Sequence, residues 1–198
     1  MHFSFAQDGP SRVLIGKSNP RDRHLPKIDS EAISVQRLVG RDTTITLEKA
    51  GFSNIRRALR SYKITACHLI MHGNAKWEWR RADGTDAWDY TPGLVKENGE
   101  LDPVNPEDII NLFAPYSVVN GGSLNFIFIN ACLSSGYGTS LNKAGFRVVF
   151  WRTRVPDDVA ADFAATFYEE RANCNCDQAA FNFAKQTIPA NFVPELLL

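Results

Sequence analysis

A cysteine and a histidine, each set at the end of an apolar run, are the residues of this chain best suited to chemistry. Ile64-Thr-Ala-Cys-His-Leu-Ile-Met71 is nearly all apolar and ends at His72-Gly73, and Leu124-Asn-Phe-Ile-Phe-Ile129 runs into Asn130-Ala131-Cys132. A thiolate is a strong nucleophile, and a histidine beside it can take the thiol proton and later pass it to a leaving amine. In an open α/β sheet such chemistry collects at the carboxyl ends of the strands. Neighbouring strands lie about 4.8 Å apart, so side chains at their matching ends come within proton-relay distance. Gly73 leaves its N–H open to an oxyanion, and the N–H of Cys132 is a second donor. Taken singly, each residue has a plainer explanation: a buried cysteine is commonly a small core hydrophobe, and a lone strand-end histidine is commonly structural. Their matching placement is what favours a Cys132/His72 dyad.

Alternating strands and helices must position this pair. Arg12 to Gly16 reads as a first strand, and Ser34 to Leu38 as a short second one. Thr46 or Ser53 is expected to cap a helix reaching Lys63, with Leu47, Ile55 and Leu59 at roughly helical spacing. The apolar run to Met71 is a strand, and Trp77 to Tyr90 alternates around Asp83-Gly84 as a hairpin does. Asn105-Pro-Glu-Asp108 opens a helix, with proline in the first turn and acids favouring the dipole. After the strand Leu124–Ile129, a helix is expected from Thr139 to Lys143, then the strand Phe146–Trp151. Pro156-Asp157-Asp158 opens a long helix, and a last helix covers about Asp177 to Thr187. The alternation predicts an α/β domain, a mostly parallel sheet in a three-layer αβα sandwich with a β-hairpin insertion.

Bulk properties leave room for one domain of this kind. The chain has 198 residues, 44% hydrophobic and 22% charged, and its formal net charge is zero. At this length about 70% of the unfolded chain's surface is buried on folding. The balanced charge lacks the basic footprint of a nucleic-acid binder, and no apolar run approaches the ~20 residues of a membrane helix. The N-terminus shows no charged segment followed by a long apolar stretch, so no signal peptide is expected, and the four cysteines should be reduced thiols in the cytoplasm.

His68-Leu-Ile-Met-His72-Gly73, Ala131-Cys132 followed by Ser134-Ser135-Gly136, and Gly145-Phe146 through Trp151 into Val155-Pro-Asp157, Ala160, Phe163 and Phe167-Tyr168 form an ordered set. Together they resemble the caspase-like cysteine peptidases, and within that group the CHAT family most closely. The likeness covers roughly Ala66 to Lys185. It implies a six-strand caspase-haemoglobinase fold and endopeptidase activity on protein or peptide substrates. It also implies Cys132 as nucleophile, His72 as general acid/base and Gly73 at the oxyanion hole. No cofactor or metal is implied; activation by cleavage, calcium or a regulatory protein partner stays open. Metacaspases carry an Asp two residues before the nucleophile where this chain has Asn130. An aspartate after the Trp151 strand, here Asp157 with Asp158 beside it, would favour Arg or Lys in the substrate residue preceding the cut. The plainer reading of both acids is complementing the dipole of the helix they open.

The remaining candidates are weaker. His68 is expected to support the site, and Cys67 to lie in the core. Cys174 and Cys176 form a C-x-C without the two further ligands that zinc needs. Trp77, Trp79, Trp88 and Tyr90 are expected to cover the sheet edge, and Trp151 to pack or line the cleft mouth. Two rival functions stand beside the peptidase. One is a caspase-like binding module with a closed cleft. The other is a flavodoxin-like nucleotide or phosphate binder, for which Gly16-Lys17-Ser18 is too short a loop.

Overall fold

The computed structural model describes residues 10–21, 25–80, 86–174 and 176–198, with the side chains of 74–80 and 86–92 left aside. In chain order the elements are β1 (Arg12–Lys17), α1 (Ile28–Val39), β2 (Thr44–Leu47), α2 (Phe52–Ser61), β3 (Ile64–Ile70), β4 (His72–Arg80), β5 (Asp86–Val95) and β6 (Leu101–Pro103). They continue with α3 (Pro106–Phe113), β7 (Phe126–Asn130), α4 (Ser135–Lys143), β8 (Arg147–Trp151), α5 (Asp157–Cys174), α6 (Asp177–Gln186) and β9 (Pro194–Leu197). A six-stranded sheet has the order β2-β1-β3-β7-β8-β9, parallel throughout except for β9, which runs antiparallel to β8. β4, β5 and β6 form a separate antiparallel sheet of three strands.

Parallel strands covered on both faces read as continuous apolar runs, and side chains alternate between the faces. Cys67, Leu69, Ile127, Ile129, Val148 and Phe150 pack under α2, α3 and α4, against Ile55, Leu59, Leu112, Phe113 and Leu141. Ala66, Ile70, Phe126, Phe128, Val149 and Trp151 face α1, α5 and α6 with Ile28, Val35, Phe163, Phe167 and Phe181. Fully burying one such side chain contributes roughly 1.5–3 kcal/mol, so the aromatic layer under α5 is a main source of stability. The molecule is thus α/β, with a mostly parallel sheet flanked by helices. No described helix is long and apolar enough to cross a membrane.

Several elements differ from the sequence expectation. Ser34 to Leu38 is helical, inside α1, where Ile28, Ala32 and Val35 recur on one buried face and Asp29 and Glu31 occupy the first turn. The second strand is instead Thr44–Leu47, a short β-branched stretch, so Thr46 lies in a strand and α2 starts at Phe52 with Gly51 as its cap. α4 begins at Ser135, ahead of the expected Thr139. β6 and β9 were not expected at all. α3 matches closely, because Asn105 and Asp108 form a reciprocal capping box. The hairpin strands pair with Trp77 opposite Asp89 and Trp79 opposite Ala87. The Asp83-Gly84 turn and the covering role expected of the Trp77, Trp79, Trp88 and Tyr90 side chains lie outside the described residues.

Candidate active site

β3 and β7 are neighbours, with Ile70 opposite Asn130 at their carboxyl ends. Beyond that pair Met71 N–H donates to Asn130 O at 3.2 Å, which carries the register one residue past the sheet. His72 then leaves the sheet as the first residue of β4, opposite Gly93 of β5. The hairpin is held to the sheet end by Ser18, whose hydroxyl donates to Gly93 O at 2.8 Å, and by Val95 N–H to Ala50 O at 3.1 Å. Gly73 is pressed against Cys132: a Cβ at position 73 would fall inside the Cys132 backbone. The glycine is required there by close approach.

A cleft of about 200 Å³ opens at this point, and His72, Gly73, Asn130 and Cys132 line it together with Glu31 and Asp157. Of the residues expected at the site, only Asp158 stands apart. It is exposed and borders a neighbouring groove between α1 and α5, while half-buried Asp157 faces the cleft itself.

The Cys132 thiol is half-buried and exchanges hydrogen bonds with one residue, accepting from Val155 N at 3.3 Å and donating to Val155 O at 3.4 Å. Burial pushes this thiol above its ordinary value and Asp157 adds to the rise, against opposing contributions from the Val155 backbone and Arg154. At neutral pH the resting cysteine is therefore a thiol that needs a base to become a nucleophile. The turn holding it is firmly tied. Ser134 Oγ donates to Ala131 O at 2.7 Å and accepts from Trp151 N at 3.1 Å, while Ser134 N donates to Trp151 O at 2.8 Å. Leu133 between them has φ of 53°, a left-handed conformation uncommon outside glycine.

Behind the cleft lies a buried polar chain. Trp151 Nε1 donates to Asn130 Oδ1 at 2.6 Å, and Asn130 Nδ2 donates to Glu31 Oε1 at 2.6 Å and to Ala160 O at 3.3 Å. His68 Nε2 also lies 2.7 Å from Glu31 Oε1. Both ends of the Asn130 amide are thus committed to protein partners, although its side chain lines the cleft. Trp151 is fully buried and packs on Phe163, away from the cleft mouth. His68 is fully buried as well, so it acts behind the site, and Cys67 faces the opposite core. Cys174 and Cys176 are exposed, the first at the end of α5 and the second just before α6.

Glu31 is the residue that sequence reasoning missed. The signal was available: it shares the helical spacing of Ile28, Ala32 and Val35, and an acid on the buried face of an amphipathic helix needs an explanation. No protein-family model matches the chain, and no curated protein is similar to it.

Proposed function

We propose that this chain is a cysteine endopeptidase of the caspase-like type, acting through an acyl-enzyme on Cys132. The observation that carries the reading is the packing of Gly73 on the Cys132 backbone, with His72 and Cys132 lining one cleft at the carboxyl end of neighbouring parallel strands. In this reading His72 takes the Sγ proton as the thiol attacks the scissile carbonyl carbon. The amide C–N bond then breaks, His72 returns the proton to the leaving amine, and water releases the acyl group. The N–H groups of Gly73 and Cys132 receive the developing oxyanion. The six-stranded sheet and its flanking helices support the caspase-haemoglobinase form of the fold. The cytoplasm suits a free-thiol nucleophile, because thiols stay reduced there. No cofactor is needed for this chemistry.

The test is a peptide-library cleavage assay on the purified domain beside its Cys132→Ala form; equal turnover by the two would overturn the reading. One observation favours a second reading, a binding module with a silent dyad: the Cys132 thiol is engaged with the Val155 backbone and pushed toward its neutral form. A thiol-directed probe separates the two, since a closed cleft protects Cys132 from alkylation.

A further inference from the structure

Glu31 is only 3% exposed, yet it lines the cleft beside Cys132 and His72 and also borders the adjoining groove that holds Asp158 and Asp162. Its Oε1 is occupied twice, by His68 Nε2 at 2.7 Å and Asn130 Nδ2 at 2.6 Å. Its Oε2 has no partner among the described residues, yet it is not sealed from solvent. Asn130 Nδ2 and His68 Nε2 both hold Oε1 and so fix the direction of the carboxylate, while His68 Nδ1 is buried with no hydrogen-bond partner among the described residues. Converging donors meet one oxygen of this buried carboxylate, and the other remains open to a cation. Among the described residues, two others that carry charge line the cleft: exposed Lys27 and half-buried Asp157. Neither has a hydrogen bond or ion pair to Glu31. The walls around it include Leu25, Ile28, Ile70 and Ala160, apolar surface of the kind that covers the aliphatic stem of a long basic side chain.

We propose that Glu31 is the specificity-determining residue of this cleft, its free oxygen receiving the guanidinium or ammonium of an Arg or Lys in the substrate. The position of that residue just before the cut rests on the peptidase reading; the cation contact does not. Asn130 also becomes intelligible. With Glu31 Oε1 at 2.6 Å from Asn130 Nδ2, an aspartate at 130 would set two acceptors face to face. The carboxylate beside position 130 is supplied by Glu31 of α1 instead. Asp157 and Asp158, in the first turn of α5, complement the dipole of that helix.

The experiment has two arms on the whole chain. In the first, benzamidine protects Cys132 from iodoacetamide in the wild type and loses at least ten-fold in potency in Glu31→Gln. In the second, peptides bearing Arg, citrulline or Leu before the cut are compared. Citrulline keeps the shape of arginine without its charge, so the wild type alone reports the preference even if Glu31→Gln folds poorly. The expected loss in kcat/KM is roughly 100-fold, for citrulline on the wild type and for Arg on Glu31→Gln alike. Protection without cleavage sinks the peptidase reading and leaves Glu31 as a cation site. Cleavage that ignores the charge, or a basic preference lost in Asp157→Asn but kept in Glu31→Gln, overturns the assignment of Glu31. Absence of both protection and cleavage overturns both, leaving Glu31 as the partner of His68 only.

Discussion

Gly73 and Cys132 touch backbone to backbone, with no room for even a methyl group between them. The contact joins the first residues past β3 to those past β7, so the hairpin that begins at His72 is referenced directly to the thiol. Gly73→Ala must push one of the two segments away. Overpacking of this kind costs about 1–3 kcal/mol of stability, and displacing an oxyanion donor costs about 100-fold or more in kcat. Thermal melting and turnover of the purified variant check the two halves separately; unchanged turnover would remove Gly73 from the oxyanion hole.

Cys132→Ala should abolish hydrolysis while the domain stays folded, because the thiol is half-buried and contributes little packing. His72→Gln should cost nearly as much, and the double variant hardly more, since residues that act as a unit are not additive. Circular dichroism with single-turnover kinetics reads this out. Independent, multiplying losses would show that the two do not work together.

Alkylation of Cys132 carries a pH signature. Burial raises the thiol above its ordinary value and the Asp157 charge raises it further, so the alkylation rate should still be climbing above about pH 8.5, where an unperturbed thiol is half ionised. Asp157→Asn removes a negative charge that disfavours the thiolate, moving the profile to lower pH; Arg154→Gln moves it the other way. Mass spectrometry of iodoacetamide-treated protein distinguishes the sites. Cys174 and Cys176 are exposed and label first, while burial keeps the fully enclosed Cys67 unreactive until the protein unfolds.

Asn130→Asp tests the buried polar chain. The new carboxylate would face Glu31 Oε1 across the position where an N–H now donates at 2.6 Å. Loss of that donor and repulsion between buried acids should destabilise the fold by about 3 kcal/mol at pH 7. The deficit relative to wild type should shrink as pH falls, because protonating either acid restores a donor. Chemical denaturation at pH 7 and pH 5 measures both values, and an equal deficit at the two would rule out the like-charge explanation.

Away from the site, Gly138 lets α4 sit on β8, since a Cβ there would enter the Phe150 ring. Gly138→Ala gains helix propensity of about 1 kcal/mol but overpacks a closed core at a cost of similar or greater size. The net expectation is a lower Tm. A variant as stable as wild type would mean that the Phe150 ring moves aside freely.

The amino-acid sequence by itself determined the sheet centre and the placement of His72 and Cys132 at its carboxyl end. β3, β7 and β8 are long apolar runs that only a doubly covered sheet can bury, and α3 carries its own capping box. His72 and Cys132 were legible because each follows such a run, and chain order alone fixes which end of a parallel strand they occupy. The ends of the sheet were not legible. β2 and β9 have four residues each, and α1 contains a stretch whose local alternation masks its helical period. Only the tertiary structure brought Glu31 to Asn130 across 99 residues of chain. It decided that contact because a buried carboxylate is tolerable only where donors from other elements converge on it, and no local pattern in the sequence records that convergence.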